Sequence, residues 1–180
     1  MSRPSRSAAL ITGLVIAGWV SHSAAYAQDT CLPLPSGFEL CAGGTIWQDA
    51  ESFGFEDAVV LESDDLWLEI MPLPDLLAEL SLDAIMDSLE AEFIQQAAVE
   101  GQRAPQIFDR ISFQTPQISG LMMAMTEFDY ADEYVVVTAV VHGNSRHVIL
   151  ALDGDAAFSA SEMEQNMRNI SDLIRLAEEG

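Results

Sequence analysis

Residues 120–153, GLMMAMTEFDYADEYVVVTAVVHGNSRHVILALD, constrain the fold more than any other stretch. They read as three consecutive antiparallel strands. In the middle one, Val135, Val137, Ala139 and Val141 alternate onto one face, and Tyr134, Val136, Thr138 and Val140 onto the other. The strand before it puts Leu121, Met123 and Met125 on one face, with Met122 and Ala124 on the other. A strand that is apolar on both faces is buried on both, so the pattern calls for a covering layer on each side of the sheet. The run His142-Gly143-Asn144-Ser145-Arg146-His147 supplies the tolerance for positive φ that a tight hairpin needs. A two-residue loop at Asn144-Ser145 would set His142 opposite His147, Val141 opposite Val148 and Val140 opposite Ile149. The preceding turn, over residues 129–133, is charged and reads as a longer connection.

The segments that could cover this sheet come before and after it. Short strands are expected at 45–47, 57–61 and 66–71, separated by glycines and acidic turns. In the last of these, Leu66, Leu68 and Ile70 share a face, with Trp67, Glu69 and Met71 opposite. Residues 75–80 could add a helical turn. Ser81 reads as the N-cap of a helix with an apolar stripe of Leu82, Ile85, Met86, Leu89, Phe93 and Ile94, closed by Gly101 and Pro105. A strand over 106–113 follows. Near the end, Ser161-Glu162-Met163-Glu164 reads as a capping box. Behind it, Met163, Met167, Ile170 and Ile174 recur at helical spacing, with Arg168 and Arg175 in the later turns.

Residues 1–27 read as a Sec-type signal peptide. Arg3 and Arg6 give a positive start, residues 8–20 an apolar core, and Ala25-Tyr26-Ala27 a cleavage site. The apolar run is too short for a comfortable membrane span, which takes about 20 residues, and no transmembrane segment is expected after cleavage. Residues 28–180 are then expected to form one globular domain, exported to the periplasm. Cys31 and Cys41 would meet an oxidising compartment there and are expected to form a disulfide, with free thiols as the other reading. The sequence contains no lysine. Without Arg3 and Arg6 it has five arginines against 29 carboxylates, a net charge of −24. Such a surface repels phosphate backbones, so nucleic acid is not an expected partner.

Catalytic templates are missing from the sequence: there is no nucleophile elbow, zinc-protease pair, P-loop or dinucleotide fingerprint. His142 and His147, opposed across a hairpin, could offer two metal ligands but lack a local third. They read first as turn residues. Met122, Met123 and Met125 read as core filling rather than a copper site, since alternation divides them between faces. Asp153-Gly154-Asp155 lacks the remaining ligands of a calcium loop. No catalytic residue and no cofactor are expected.

The order of these elements resembles the PsbP-like superfamily, including its small exported DcrB-like bacterial members. The likeness rests on short N-terminal strands, the helix SLDAIMDSLEAEF, a long strand, the hairpin EYVVVTAVVHGNSRHVILAL and the closing helix EMEQNMRNISDLI. What it implies is an α/β (α+β) fold of the α/β/α sandwich type, with a mainly antiparallel sheet. It also implies docking onto other proteins without catalysis. The expected function is therefore an exported protein-binding or assembly module, with another exported or envelope protein as partner. The alternative is a small metal-binding protein or enzyme using His142 and His147 with nearby carboxylates.

Overall fold

The computed structural model describes residues 31–177 apart from 56, 57, 64, 130, 131, 155 and 156. The expected signal segment lies outside the described residues. The chain runs β1 (Leu32–Pro33), β2 (Phe38–Leu40), β3 (Glu51–Phe55), β4 (Ala58–Glu62), β5 (Leu66–Pro72), α1 (Leu82–Glu100) and β6 (Gln106–Gln114). It continues through β7 (Ser119–Asp129), β8 (Asp132–Gly143), β9 (Arg146–Gly154), α2 (Ala160–Ser171) and β10 (Ile174–Leu176). Seven strands form one antiparallel sheet in the order β3-β4-β5-β9-β8-β7-β6, and β1-β2-β10 form a smaller one. This is an α+β fold.

The meander expected at residues 120–153 is the centre of the large sheet. Asn144 and Ser145 both take left-handed φ, 50° and 60°, and the register is the one their two-residue loop demands: His142 opposite His147, Val141 opposite Val148 and Val140 opposite Ile149. The other turn differs from expectation. Pairing of β7 with β8 runs out to Asp129 opposite Asp132, so the strands extend into the region read as a longer connection. Gly120 faces Phe113 on β6, and a Cβ there would come within 2.1 Å of the ring and 2.7 Å of the Val140 carbonyl oxygen. Only glycine lets the aromatic lie flat against the sheet at that point.

Both faces of the meander are covered, as its double alternation requires. On one side α2 lays Met163, Met167 and Ile170 over Met122, Ala124, Val137, Ala139, Leu150 and Leu152, and the small sheet adds Phe38, Leu40 and Ile174. On the other, α1 lays Ile85, Met86, Leu89 and Phe93 over Leu121, Met123, Met125, Val136 and Val140. Each fully buried Val, Leu, Ile, Phe or Met among them contributes about 1.5–3 kcal/mol.

The helix ends follow local chemistry. Ser81 accepts the Ala84 N–H, and Gly101 closes α1 in the left-handed conformation at φ 70°. The stripe of α1 ends on Ala97, and Ile94 is exposed. The capping box of α2 is Ser159 with Glu162, two residues earlier than read from the sequence. Both serines have a glutamate three residues on, so spacing alone does not separate them. The helix stops at Ser171, and Ile174 with Arg175 belongs to β10, drawn into pairing with Leu40 and Glu39 of β2. Residues 45–47 form a turn rather than a strand. The Thr45 hydroxyl accepts the Trp47 N–H and donates to the Ala42 carbonyl, a local alternative to sheet pairing.

Candidate functional site

The α1 side of the large sheet carries two groups of polar residues, one at each end of its strands. At the hairpin end His142 and His147 lie side by side, as their register requires. Nδ1 of His142 and Nε2 of His147 are 2.9 Å apart, so one ring donates to the other. The rings are tilted by 42° with centroids 4.5 Å apart. Burial, and then the neighbouring His142, hold His147 below the usual histidine range. The pair is half-buried, and each ring occupies a ligand position of the other.

At the opposite end the register sets two rows of side chains on the α1 side. One row crosses β8, β9, β5, β4 and β3 as Val136, Asp153, Trp67, Glu62 and Glu51. The next crosses as Thr138, Ala151, Glu69, Val60 and Phe53. Beyond them on β7 and β8, the Tyr134 hydroxyl donates to Glu127 Oε2 at 3.0 Å. Phe53 and Trp67 stack with centroids 6.4 Å apart and planes 11° from parallel, and Val60 on the strand between them is buried.

Cover on this side is uneven. α1 packs on β7 and β8. Over β5, β4 and β3 the side chains of Phe53, Trp67 and Glu69 stay half-buried, and Glu51 and Glu62 are exposed. Burial pushes the Glu69 carboxyl up from its ordinary value. Glu127 is also raised, first by burial. Its hydrogen bond from Tyr134 opposes the shift, and Asp153 and Glu100 add to it. This end of the sheet thus gathers carboxylates and two aromatic rings in a partly dry setting, which suits a cation.

The expected disulfide forms. Cys31 and Cys41, with Cα atoms 4.2 Å apart, join the start of β1 to the end of β2. Among the described residues, the one group of three or more ligand-type side chains with donor atoms within 4.8 Å of one another is Cys31, Glu39 and Cys41. Both sulfurs of that group are in the disulfide. Met122 and Met123 are fully buried on opposite faces, in separate cores.

Sequence reasoning named His142 and His147, and the structure does bring them together. It noted Trp67 and Glu69 on one strand face without assigning them a role, and it passed over the Tyr134–Glu127 pair. The available signal was a glutamate between Leu68 and Ile70, and a tyrosine in a run of valines.

Comparison with solved structures places this architecture. The solution structure of cyanobacterial PsbP (CyanoP) from Synechocystis sp. PCC 6803 superimposes with a TM-score of 0.53 at 12% sequence identity, covering 78% of this chain and 87% of that one. The fold is PsbP-like. No protein-family model and no curated protein matches the chain. At this identity the likeness concerns the PsbP-like frame and transfers no residue. The disulfide fits export to an oxidising compartment. Among the described residues no helix is long and apolar enough to cross a membrane.

Proposed function

We propose that this chain is a periplasmic, non-enzymatic module of the DcrB-like kind, which binds another exported or envelope protein. The observation that carries the reading is the uneven cover on the α1 side of the large sheet. There the stacked Phe53 and Trp67 lie half-buried among Glu51, Glu62 and Glu69, outside the core that α1 covers. Aromatic rings at partly exposed positions are the usual anchors of protein interfaces, because they bury much area for little lost side-chain freedom.

A metal or catalytic role for His142 and His147 has less support. The two rings already hydrogen-bond to one another, and a bound ion would need further donors.

The test is site-specific photocrosslinking in living cells. A photoreactive residue replaces Glu51 on the α1 side of β3, Gln114 on β6 or Gln165 on α2, one at a time. The reading expects one discrete adduct from position 51. A failure of all three positions to give any adduct would remove the binding-module reading.

A further inference from the structure

Among the described residues β3 is an edge strand of the large sheet, with β4 as its one neighbour there. Its outer side therefore presents a row of main-chain N–H and C=O groups to an incoming chain. Edge strands are commonly blunted by lysine or proline. β3, Glu-Ser-Phe-Gly-Phe, has neither, and a Cβ added at Gly54 would meet nothing within 4 Å. The other edge of the sheet is treated differently. β6 carries Arg110, bound to Asp87 and Glu90 of α1 at 2.7 Å each, and its pairing is shifted between Ile107 and Arg110.

Charge sets the kind of partner. The 22 residues from Glu51 to Pro72 hold seven carboxylates and no basic side chain. On the α1 side, Glu51, Glu62, Glu69 and Asp153 flank the Phe53–Trp67 stack within two adjacent rows of the sheet. A second copy of this chain would bring an acidic edge against an acidic edge, which is disfavoured.

Deepening the reading given above, on which it rests, we propose that the β3 edge receives an extended, arginine- or lysine-rich segment of the partner protein. The segment pairs its main chain with β3. Its basic side chains, alternating onto the α1 side, reach the carboxylates and lie against the rings of Phe53 and Trp67. Pairing gives the segment its direction and register, and the charges select it.

The experiment titrates the full-length exported protein by calorimetry with a nine-residue synthetic peptide in which arginine alternates with threonine. Four comparisons accompany it: the same peptide with glutamate for arginine, a helix-forming peptide of equal positive charge, spermidine, and a range of salt concentrations. Two doubly substituted proteins of equal net charge are compared, Glu62→Gln/Glu69→Gln beside the proposed site and Glu164→Gln/Asp172→Asn at α2. Binding of the extended basic peptide is expected to weaken with salt and to fall by about tenfold in the first variant. It should be unchanged in the second. Amide signals of β3 should shift on binding while those of β6 do not. Equal binding of the helical peptide or spermidine would overturn the proposal in favour of unspecific attraction. So would equal loss in both variants, or no binding at all. If the peptide fails while a crosslink forms from Gln114 or Gln165, the binding-module reading survives and this surface is rejected. If no position gives a crosslink either, both fall.

Discussion

The two ends of the large sheet are made from the same alternation and meet different neighbours. At the β6–β7–β8 end, α2 and α1 press on opposite faces, and the edge is tethered through Arg110 to Asp87 and Glu90. At the β5–β4–β3 end the α2 side is just as apolar, with Leu61, Leu68 and Ile70 buried, but the α1 side holds Glu51, Glu62, Glu69, Phe53 and Trp67. The difference is written in the strands. From Tyr134 to Val141 β8 is apolar on both faces except at Thr138, whereas the α1-side positions of β5, β4 and β3 include Trp67, Glu69, Glu62, Glu51 and Phe53. Where a helix covers the second face, apolar residues occupy it. Where cover thins, carboxylates and aromatic rings share that face with Val60 and Met71.

Substitutions should expose this contrast most strongly at the centre. Val137 is fully buried on the α2 side, and Val137→Asp would place an unpaired charge there. We expect a loss of more than about 4 kcal/mol, a large share of the roughly 5–15 kcal/mol that holds a small domain folded. Glu62→Gln, exposed at the other end, should change stability by no more than about 0.5 kcal/mol. Chemical denaturation compares the two, and similar midpoint shifts would erase the distinction between the ends. Next in size is Arg110→Ala, which removes two partly exposed ion pairs and should cost about 1 kcal/mol, less in high salt.

A gain of similar or smaller size is expected from Thr138→Val. The Thr138 side chain is buried on the α1 side, and its hydroxyl has no hydrogen-bond partner among the described residues. Replacing it with a methyl group of the same shape should stabilise the protein by up to about 1 kcal/mol. A loss of stability instead would mean that the hydroxyl is satisfied.

The smallest effects are those of pH, and they oppose each other across the α1 side. Glu69 has a raised carboxyl, so its charged form weakens the fold at neutral pH, and that penalty is relieved as pH falls through the raised value towards 4.5. Glu69→Gln should therefore melt higher than wild type at neutral pH, with the gap closing in acid. His147 is held low. Its contribution is complete above about 6.5 and is lost as pH falls through the depressed value. His147→Gln should remove that acid-side loss while leaving the Glu69 gap in place. Thermal melts of the two variants over pH check both signs.

Much of this fold was legible where local chemistry leaves little choice. Asn144 and Ser145 accept positive φ, which fixed the hairpin and with it the His142–His147 pairing. Ser81 and Gly101 marked both ends of α1. What stayed hidden depends on distant partners. Ile174 continues the helical spacing of Met163, Met167 and Ile170, and only pairing with β2 makes it a strand residue. β3 is not legible as a strand because its Glu51 and Gly54 disfavour strands in isolation, and β4 supplies what its own residues lack. The candidate site was half legible. Trp67 and Glu69 were seen to share a strand face, but Phe53 reaches Trp67 only because β4 lies between their strands.

The central claim, that the sheet is closed at β6 and open at β3, is tested most directly by amide hydrogen exchange of the two edges in one sample. Both are edge strands, so the comparison cancels the exposure that any edge has. The account predicts that β3 exchanges about 100-fold or more faster than β6, through local opening, and slows when the extended arginine peptide is added. Equal protection of β3 and β6 without the peptide would contradict it, because the face over β3 would then be covered as fully as the face under α1.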